Sequence, residues 1–194
     1  MHHLNIAQNI LSSENVEPRE FLRYCFGIDN LILEEVIEEE ADFRYRSQCI
    51  DLFSKLLGIE KSTIRKWCNN PNFEKMPQYA RTTCGYAQLA LSRRELDRAI
   101  NQEFEAPKLN AIEFIEETLL QGLSPSEKLK SATSSKFRSQ CLTLLSNTLN
   151  IPKSTIYEWG SDMGLSHMPK HYQHTLAYAL IACKKHSTAK QSAA

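Results

Sequence analysis

Residues 45–67 read YRSQCIDLFSKLLGIEKSTIRKW, and residues 137–159 read FRSQCLTLLSNTLNIPKSTIYEW. When the comparison is extended at this shift of 92 residues, residues 45–90 and 137–182 share 19 identities in 46 positions without a gap. Agreement of this extent indicates an internal repeat. A chain of 194 residues has room for two small domains, and we predict domains at residues 1–106 and 107–194, divided near Pro107.

Apolar residues in both copies recur at intervals of three or four, which is the spacing of an amphipathic helix. They are Tyr45, Cys49, Leu52, Phe53 and Leu56 in the first copy, with Phe137, Cys141, Leu144, Leu145 and Thr148 in the second. The chain has only 6 Gly and 7 Pro, too few for the many tight turns of a sandwich or barrel. We predict an all-α protein with about five helices in each domain.

Further helices are predicted outside the repeated segment, at residues 18–26, 30–40, 111–121 and 125–131. From Pro77 to about Glu103 the only helix breaker is Gly85, so we expect one long helix that links the two domains. Pro77 and Pro169 are placed to start the helix after the repeated segment. The polar tail 186–194 is expected to be disordered.

Each copy has the residue types of two helices that cross over a tight turn. Ser54 and Ser146 are small where the second helix crosses the first, and Gly58 and Asn150 stand at the turn, where a positive φ is needed. The expected apolar inner face consists of Phe53, Leu57, Ile59, Ile64 and Trp67, with Leu145, Leu149, Ile151, Ile156 and Trp159 in the second copy.

Residues 50–67 and 142–159 resemble the helix-turn-helix of the DNA-binding superfamily that includes phage repressors and Cro. The resemblance implies recognition helices at residues 61–69 and 153–161 that lie in the major groove. The implied base-reading residues are Lys61, Ser62, Arg65, Lys66 and Asn69, and then Lys153, Ser154, Tyr157 and Glu158. Thr63 and Thr155 are further implied DNA-binding residues. The side chains implied to position the protein on phosphates include Arg46, Gln48, Arg138 and Gln140.

Some of these residues have a second interpretation. Ser62-Thr63 and Ser154-Thr155 could cap or solvate the start of a helix instead of contacting DNA. Because Tyr157 and Glu158 replace the cations Arg65 and Lys66, we expect the first copy to contribute more than the second to the recognition of DNA bases. Both tryptophans are expected in the core.

Charge is segregated along a chain whose 23 basic and 23 acidic residues cancel. The first 40 residues have 9 acids and 2 bases, whereas residues 41–109 have 12 bases and 8 acids and residues 110–194 have 9 bases and 6 acids. This asymmetry suits a protein that presents basic residues to DNA and acidic residues on the opposite surface. The glutamates between Glu34 and Glu40 are expected to form a solvated face, and a protein partner for this acidic N-terminal region is the alternative.

The remaining sequence shows no catalytic constellation. The six cysteines include no Cys-x-x-Cys pair, and no secretory signal precedes them, so we expect reduced thiols in the core of a cytoplasmic protein. An apolar run of about 18 residues, which a membrane span requires, is absent. His167, His171 and His174 fall on one helix face, and a surface or phosphate contact is expected there rather than a metal. We predict no enzymatic activity, no cofactor and no metal.

These observations together predict sequence-specific binding of double-stranded DNA and a role in transcription regulation. One alternative is a protein-interaction module on a helix-turn-helix scaffold. Another is a DNA-handling factor in transposition, replication or phage functions.

Overall fold

A computed structural model describes residues 16–67, 72–160 and 165–192, and within these ranges it contains helices and no strand, which confirms the all-α class. Contacts divide the chain into two compact units, a first unit of residues 13–106 and a second unit that includes residues 107–194. The described helices of the first unit are α1 (Pro18–Phe26), α2 (Leu33–Ala41), α3 (Phe43–Leu57), α4 (Lys61–Arg65), α5 (Gln78–Ala90) and α6 (Arg93–Asn101). Those of the second are α7 (Ala111–Leu119), α8 (Pro125–Ala132), α9 (Ser135–Leu149), α10 (Lys153–Tyr157) and α11 (His171–Ser192).

The repeat in the sequence is also a repeat in the structure. Helices α3 and α9 each have 15 residues, and α4 and α10 each have five, with the same shift of 92 residues between their bounds. Helix α1 has the predicted bounds, and α2, α7 and α8 differ from prediction by three residues or fewer at either end. None of the helices that the structure describes is long and apolar enough to cross a membrane.

Aromatic packing forms the centre of the first unit. The ring of Phe53, on the inner face of α3, is stacked on Phe21 of α1 at 6.1 Å between centroids. The Phe73 ring meets Phe53 edge-on at 4.9 Å. All three side chains are buried, so they join α1, α3 and the segment before α5 into one core.

The acidic helix α2 is held against α1 by a buried carboxylate. The Glu40 side chain is only 6% exposed and accepts hydrogen bonds from the guanidinium groups of Arg19 and Arg23, with Nε–Oε1 distances of 3.0 and 2.8 Å. The bonds from Arg19, and then those from Arg23, lower the pKa of Glu40 to about 2. One glutamate of the expected solvated face is therefore part of an internal ion pair.

The single long helix predicted from Pro77 to Glu103 is wrong, because α5 ends at Ala90 and α6 begins at Arg93. Ser92 starts α6 with a capping box: its backbone N–H donates to the Glu95 carboxylate at 2.6 Å, and its hydroxyl accepts from the Glu95 N–H at 3.3 Å. At the other end of α6, Lys55 Nζ donates to the carbonyl oxygens of Ala99 and Gln102 at 2.8 and 2.7 Å.

The corresponding helix of the second unit is not interrupted. The residue equivalent to Ser92 is Lys184, which cannot accept a capping hydrogen bond, and α11 runs to Ser192. The prediction of a disordered tail is therefore wrong for residues 186–192, and residues 193–194 lie outside the described part of the chain.

Candidate nucleic-acid interface

The turn between the two motif helices has the predicted backbone conformation in both copies. Gly58 ends α3 with φ +64°, and Asn150 ends α9 with φ +53°. These values lie in the left-handed region, which glycine adopts freely and asparagine tolerates better than most residues. The prediction from residue type is confirmed at both positions.

The motif serine has a hydrogen-bonding role that its small size did not predict. Ser54 Oγ donates to the carbonyl oxygen of Ile59 at 2.7 Å, and the Ile59 N–H donates to the Ser54 carbonyl at 3.3 Å. In the second copy Ser146 and Ile151 make the same two bonds, at 2.6 and 3.2 Å. These two hydrogen bonds fix the backbone where the chain leaves the turn. The sequence signal for them was the serine that both copies have at this position.

The predicted inner face is buried in both units. Trp67 and Trp159 are core residues, as expected, and so are Phe53, Leu57, Ile64, Leu145, Leu149 and Ile156. The two isoleucines at the turn, Ile59 and Ile151, are half-buried. Burial of this face orients the opposite face of each second helix toward solvent.

The second helices are shorter than predicted. Helix α4 ends at Arg65, and the N–H groups of Lys66 and Trp67 donate to carbonyls three residues back, which tightens the chain into a turn. Helix α10 ends at Tyr157. The predicted continuous helices 61–69 and 153–161 are therefore wrong, and Asn69 lies outside the described residues.

The same backbone hydrogen bond returns to the motif tryptophan in both copies. The carbonyl of Trp67 accepts from the Lys75 N–H at 2.9 Å, and that of Trp159 accepts from the His167 N–H at 3.0 Å. Between them the buried side chains of Phe73 and Leu165 hold φ +47° and +46°, a conformation uncommon for residues other than glycine. Sequence reasoning missed the buried positions and positive φ of these two residues.

The residues expected to face DNA lie on the open side of the short helices. Lys61, Ser62, Arg65 and Lys66 are exposed, and so are Lys153, Ser154, Tyr157 and Glu158, whereas Thr63 and Thr155 are half-buried. The residues that precede the helices are Glu60 and Pro152, and neither gives a side-chain cap. Ser62-Thr63 and Ser154-Thr155 therefore do not cap these helices, and the alternative that they only solvate the helix start stays open.

A lysine at the start of each short helix contacts a side chain of the longer helix before it. Lys61 Nζ lies 2.7 Å from Asp51 Oδ1, with both side chains more than 40% exposed. Lys153 Nζ donates to Thr143 Oγ1, also at 2.7 Å. Asp51 and Thr143 are equivalent in the repeat. The first copy therefore has a negative charge within its candidate surface where the second copy has a neutral hydroxyl.

The expected phosphate-contacting residues do not share one face. Arg46 and Gln48 are two positions apart on α3, so their side chains leave the helix about 200° apart. Gln48 is exposed and lies three residues before Asp51, on the side that Lys61 meets, whereas Arg46 is half-buried on the other side. The same spacing separates Arg138 from Gln140. Gln48 therefore lies on the same side of α3 as Asp51, and Arg46 lies on another side.

The cysteines of the described chain behave as core residues. Cys25, Cys49, Cys84, Cys141 and Cys183 are buried and form no disulfide. Burial raises the pKa of Cys49 to about 12 and that of Cys141 to about 11, so both thiols are protonated at neutral pH. Cys68 lies outside the described residues.

The expectation of surface histidines is wrong for His174. This side chain is buried, and its Nδ1 lies 2.9 Å from the carbonyl oxygen of Pro107. Burial lowers its pKa, so the ring favours the neutral form. His171 is half-buried beside the Tyr172 ring, at 4.3 Å between centroids. Within the described residues no three His, Cys, Asp or Glu side chains are grouped to hold a metal.

In each unit a long helix, a left-handed residue and a five-residue helix bring a lysine, a serine and two further polar side chains to one exposed surface. No protein-family model, no curated protein and no solved structure matches the chain.

Proposed function

We propose that this chain binds double-stranded DNA sequence-specifically through two tandem helix-turn-helix units and regulates transcription. The observation that carries the proposal is the duplicate geometry: α3 and α4 recur as α9 and α10, with the same turn, serine hydrogen bonds and exposed second helix. A helix-turn-helix reads DNA by placing the N-terminal part of its second helix in the major groove. Side chains with N–H and O–H donors stand at that position in both units.

In the first unit the roles follow from chemistry and exposure. Arg65 can donate two hydrogen bonds to the O6 and N7 atoms of a guanine, the most frequent specific contact in the major groove. Lys66 and Lys61 supply positive charge for phosphates, and Ser62 can donate to a base or a phosphate. Gln48 lies on the same side of the unit as Lys61 and can donate to the DNA backbone.

The short second helices limit what one unit can read. A helix of five residues has little more than one turn, so each unit can insert only a few side chains among the bases. The second unit is covalently attached, which sets its effective concentration near the other half of the site in the millimolar range. Since Tyr157 and Glu158 stand where the first unit has Arg65 and Lys66, the two half-sites should differ in sequence.

A second function is favoured for the second unit alone. Tyr157 is 56% exposed and Glu158 stands beside it on the same open surface. An exposed tyrosine is typical of protein-binding surfaces, and an anion is repelled by phosphates. In this alternative the first unit binds DNA and α10 binds another protein.

Selection of bound sequences from a random duplex pool tests the proposal. We expect enrichment of a non-palindromic site with two unlike halves about 10 base pairs apart, the spacing that puts two readers on one side of the duplex. The affinity should fall steeply with salt, because about 5 to 9 neutralised phosphates each add about 0.9 to the log-log slope. Absence of any enriched sequence would contradict sequence-specific binding, and absence of duplex binding at every salt concentration would exclude DNA as the ligand. Enrichment of a single half-site would support the protein-binding alternative for α10.

Asp51→Thr is expected to raise DNA affinity about 3- to 10-fold, because it removes a negative charge beside the phosphates and releases Lys61 from its ion pair. The variant gives the first unit the residue that the second unit has at the same position. Fluorescence anisotropy with the selected duplex measures the change at fixed salt. Asp97→Thr on α6 changes the net charge equally and is the matched control. An equal gain from both variants would show that total charge, not the Asp51 position, sets the affinity.

A further inference from the structure

Helix α2 exposes apolar side chains on one face. Leu33 is 65% exposed and Ile37 is 54% exposed, and because they are four residues apart they lie side by side. Ile32, just before the helix, is 62% exposed. The buried Val36 and the Glu40 ion pair with Arg19 hold the helix in place. The stripe is therefore presented on a fixed surface, as in a binding site.

Helix α8, the counterpart of α2 in the repeat, also exposes an apolar residue. Leu129 is equivalent to Ile37 and is 70% exposed. None of the described side chains of α8 is buried. Its first turn is closed by a capping box between Ser124 and Glu127. Because an eight-residue helix with no described side chain buried gains little from packing within its own unit, a partner that covers it would stabilise α8.

The two helices carry opposite charges beside their exposed apolar residues. Exposed glutamates accompany the stripe of α2, namely Glu34, Glu35, Glu38 and Glu39. On α8, Lys128 and Lys130 stand about 100° to either side of Leu129, whereas the Glu127 carboxylate is turned back to the Ser124 N–H at 2.9 Å. The acidic rim of α2 is thus complementary to the basic rim of α8.

We propose that two copies of this chain associate, with α2 of one copy packed on α8 of the other. Leu33 and Ile37 of one copy cover Leu129 of its partner, and the rim of Glu34 and Glu38 meets Lys130, while Lys128 adds positive charge on the other side of Leu129. When the contact is reciprocal, it occurs twice and closes a two-fold dimer. Two contacts between short helices are smaller than a standard interface, so the dissociation constant should be about 10 to 100 µM.

Charge reversal on each helix provides a sharp test with the full-length chain. The variant E34K/E38K turns the acidic rim of α2 that meets α8 into a basic one, and the variant K128E/K130E makes α8 acidic like α2, so each alone should self-associate at least 10-fold more weakly than the native chain. An equimolar mixture restores opposite charges at both contacts and should form a heterodimer. Sedimentation equilibrium measures the mass in each case. Glu20→Lys, on α1 and outside the contact, should dimerise like the native chain.

The substituted positions are exposed, apart from the half-buried Lys128, and circular dichroism verifies that the helix content is retained. Ile37→Ser and Leu129→Ser remove the apolar centre without altering charge, and each should also weaken the dimer. If the native chain remained a monomer up to about 300 µM, the proposal would be overturned, because no second copy would then bind α2. A dimer that neither charge reversal weakens, or a mixture that fails to dimerise, would overturn it equally.

Discussion

Phe53→Ala is expected to lower the free energy of unfolding of the first unit by about 3 to 5 kcal/mol, the range for an aromatic truncation in a core. Phe53 is fully buried and contacts the rings of both Phe21 and Phe73, so its loss opens a cavity between α1, α3 and the segment before α5. Neither neighbouring ring can fill that space without leaving its own contacts. A loss of this size is a large share of the stability of a small domain.

The two tryptophans allow this measurement to be made on one unit at a time. In a Trp159→Phe background, Trp67 is the sole tryptophan, and its fluorescence during urea unfolding reports the first unit. Phe43→Ala is the matched control, because Phe43 is on the same helix but 82% exposed, and it should change the free energy by about 0.5 kcal/mol or less. Equal effects of the two substitutions would contradict the central position of Phe53.

The helices of the repeated motif could be predicted because their signals are local. The apolar positions of α3 recur every three or four residues, and Gly58 and Asn150 are residue types that a left-handed helix end selects. Local patterns of this kind predict a helix and its end without knowledge of which helices pack together. The same holds for Trp67, whose inward direction follows from its place in the motif.

The break at Ser92 could have been predicted as well. The sequence Ser92-Arg93-Arg94-Glu95 has the capping-box spacing, but no proline or glycine marks the boundary. The C-terminal tail shows the opposite error: its polar composition suggested disorder, although nothing in it breaks a helix before Ser192. In both cases the hydrogen bonds available to the backbone, and not composition, set where the helix ends.

Other features of the candidate site depend on tertiary structure and could not be read from the chain. Asp51 and Lys61 are ten residues apart on different helices, so their 2.7 Å contact exists only because the turn sets the crossing of α3 and α4. The positive φ of Phe73 has no residue-type signal, since phenylalanine rarely adopts it. Burial against Phe53 holds that conformation in place.

Replacing Lys61, Arg65 and Lys66 together by alanine should lower affinity for the selected DNA site at least 100-fold. Loss of an Arg65 contact to guanine costs about 1 to 3 kcal/mol, and loss of two phosphate contacts should lower the salt slope by about 2. The ion pair with Asp51 makes Lys61 the smallest contributor of the three. Alanine is the strongest helix former, so α4 itself should persist.

The equivalent change in the second unit, Lys153→Ala with Tyr157→Ala, is the internal control and should cost about 3- to 10-fold, because only one cation is removed. Anisotropy titrations over a series of salt concentrations separate the contributions: phosphate contacts change the slope, whereas base contacts change the preference among sequences. A larger loss of affinity from the second-unit variant would show that α10 contributes more to DNA binding than α4 does. If neither variant changed affinity or slope, the exposed faces of α4 and α10 would not be the surfaces that meet DNA.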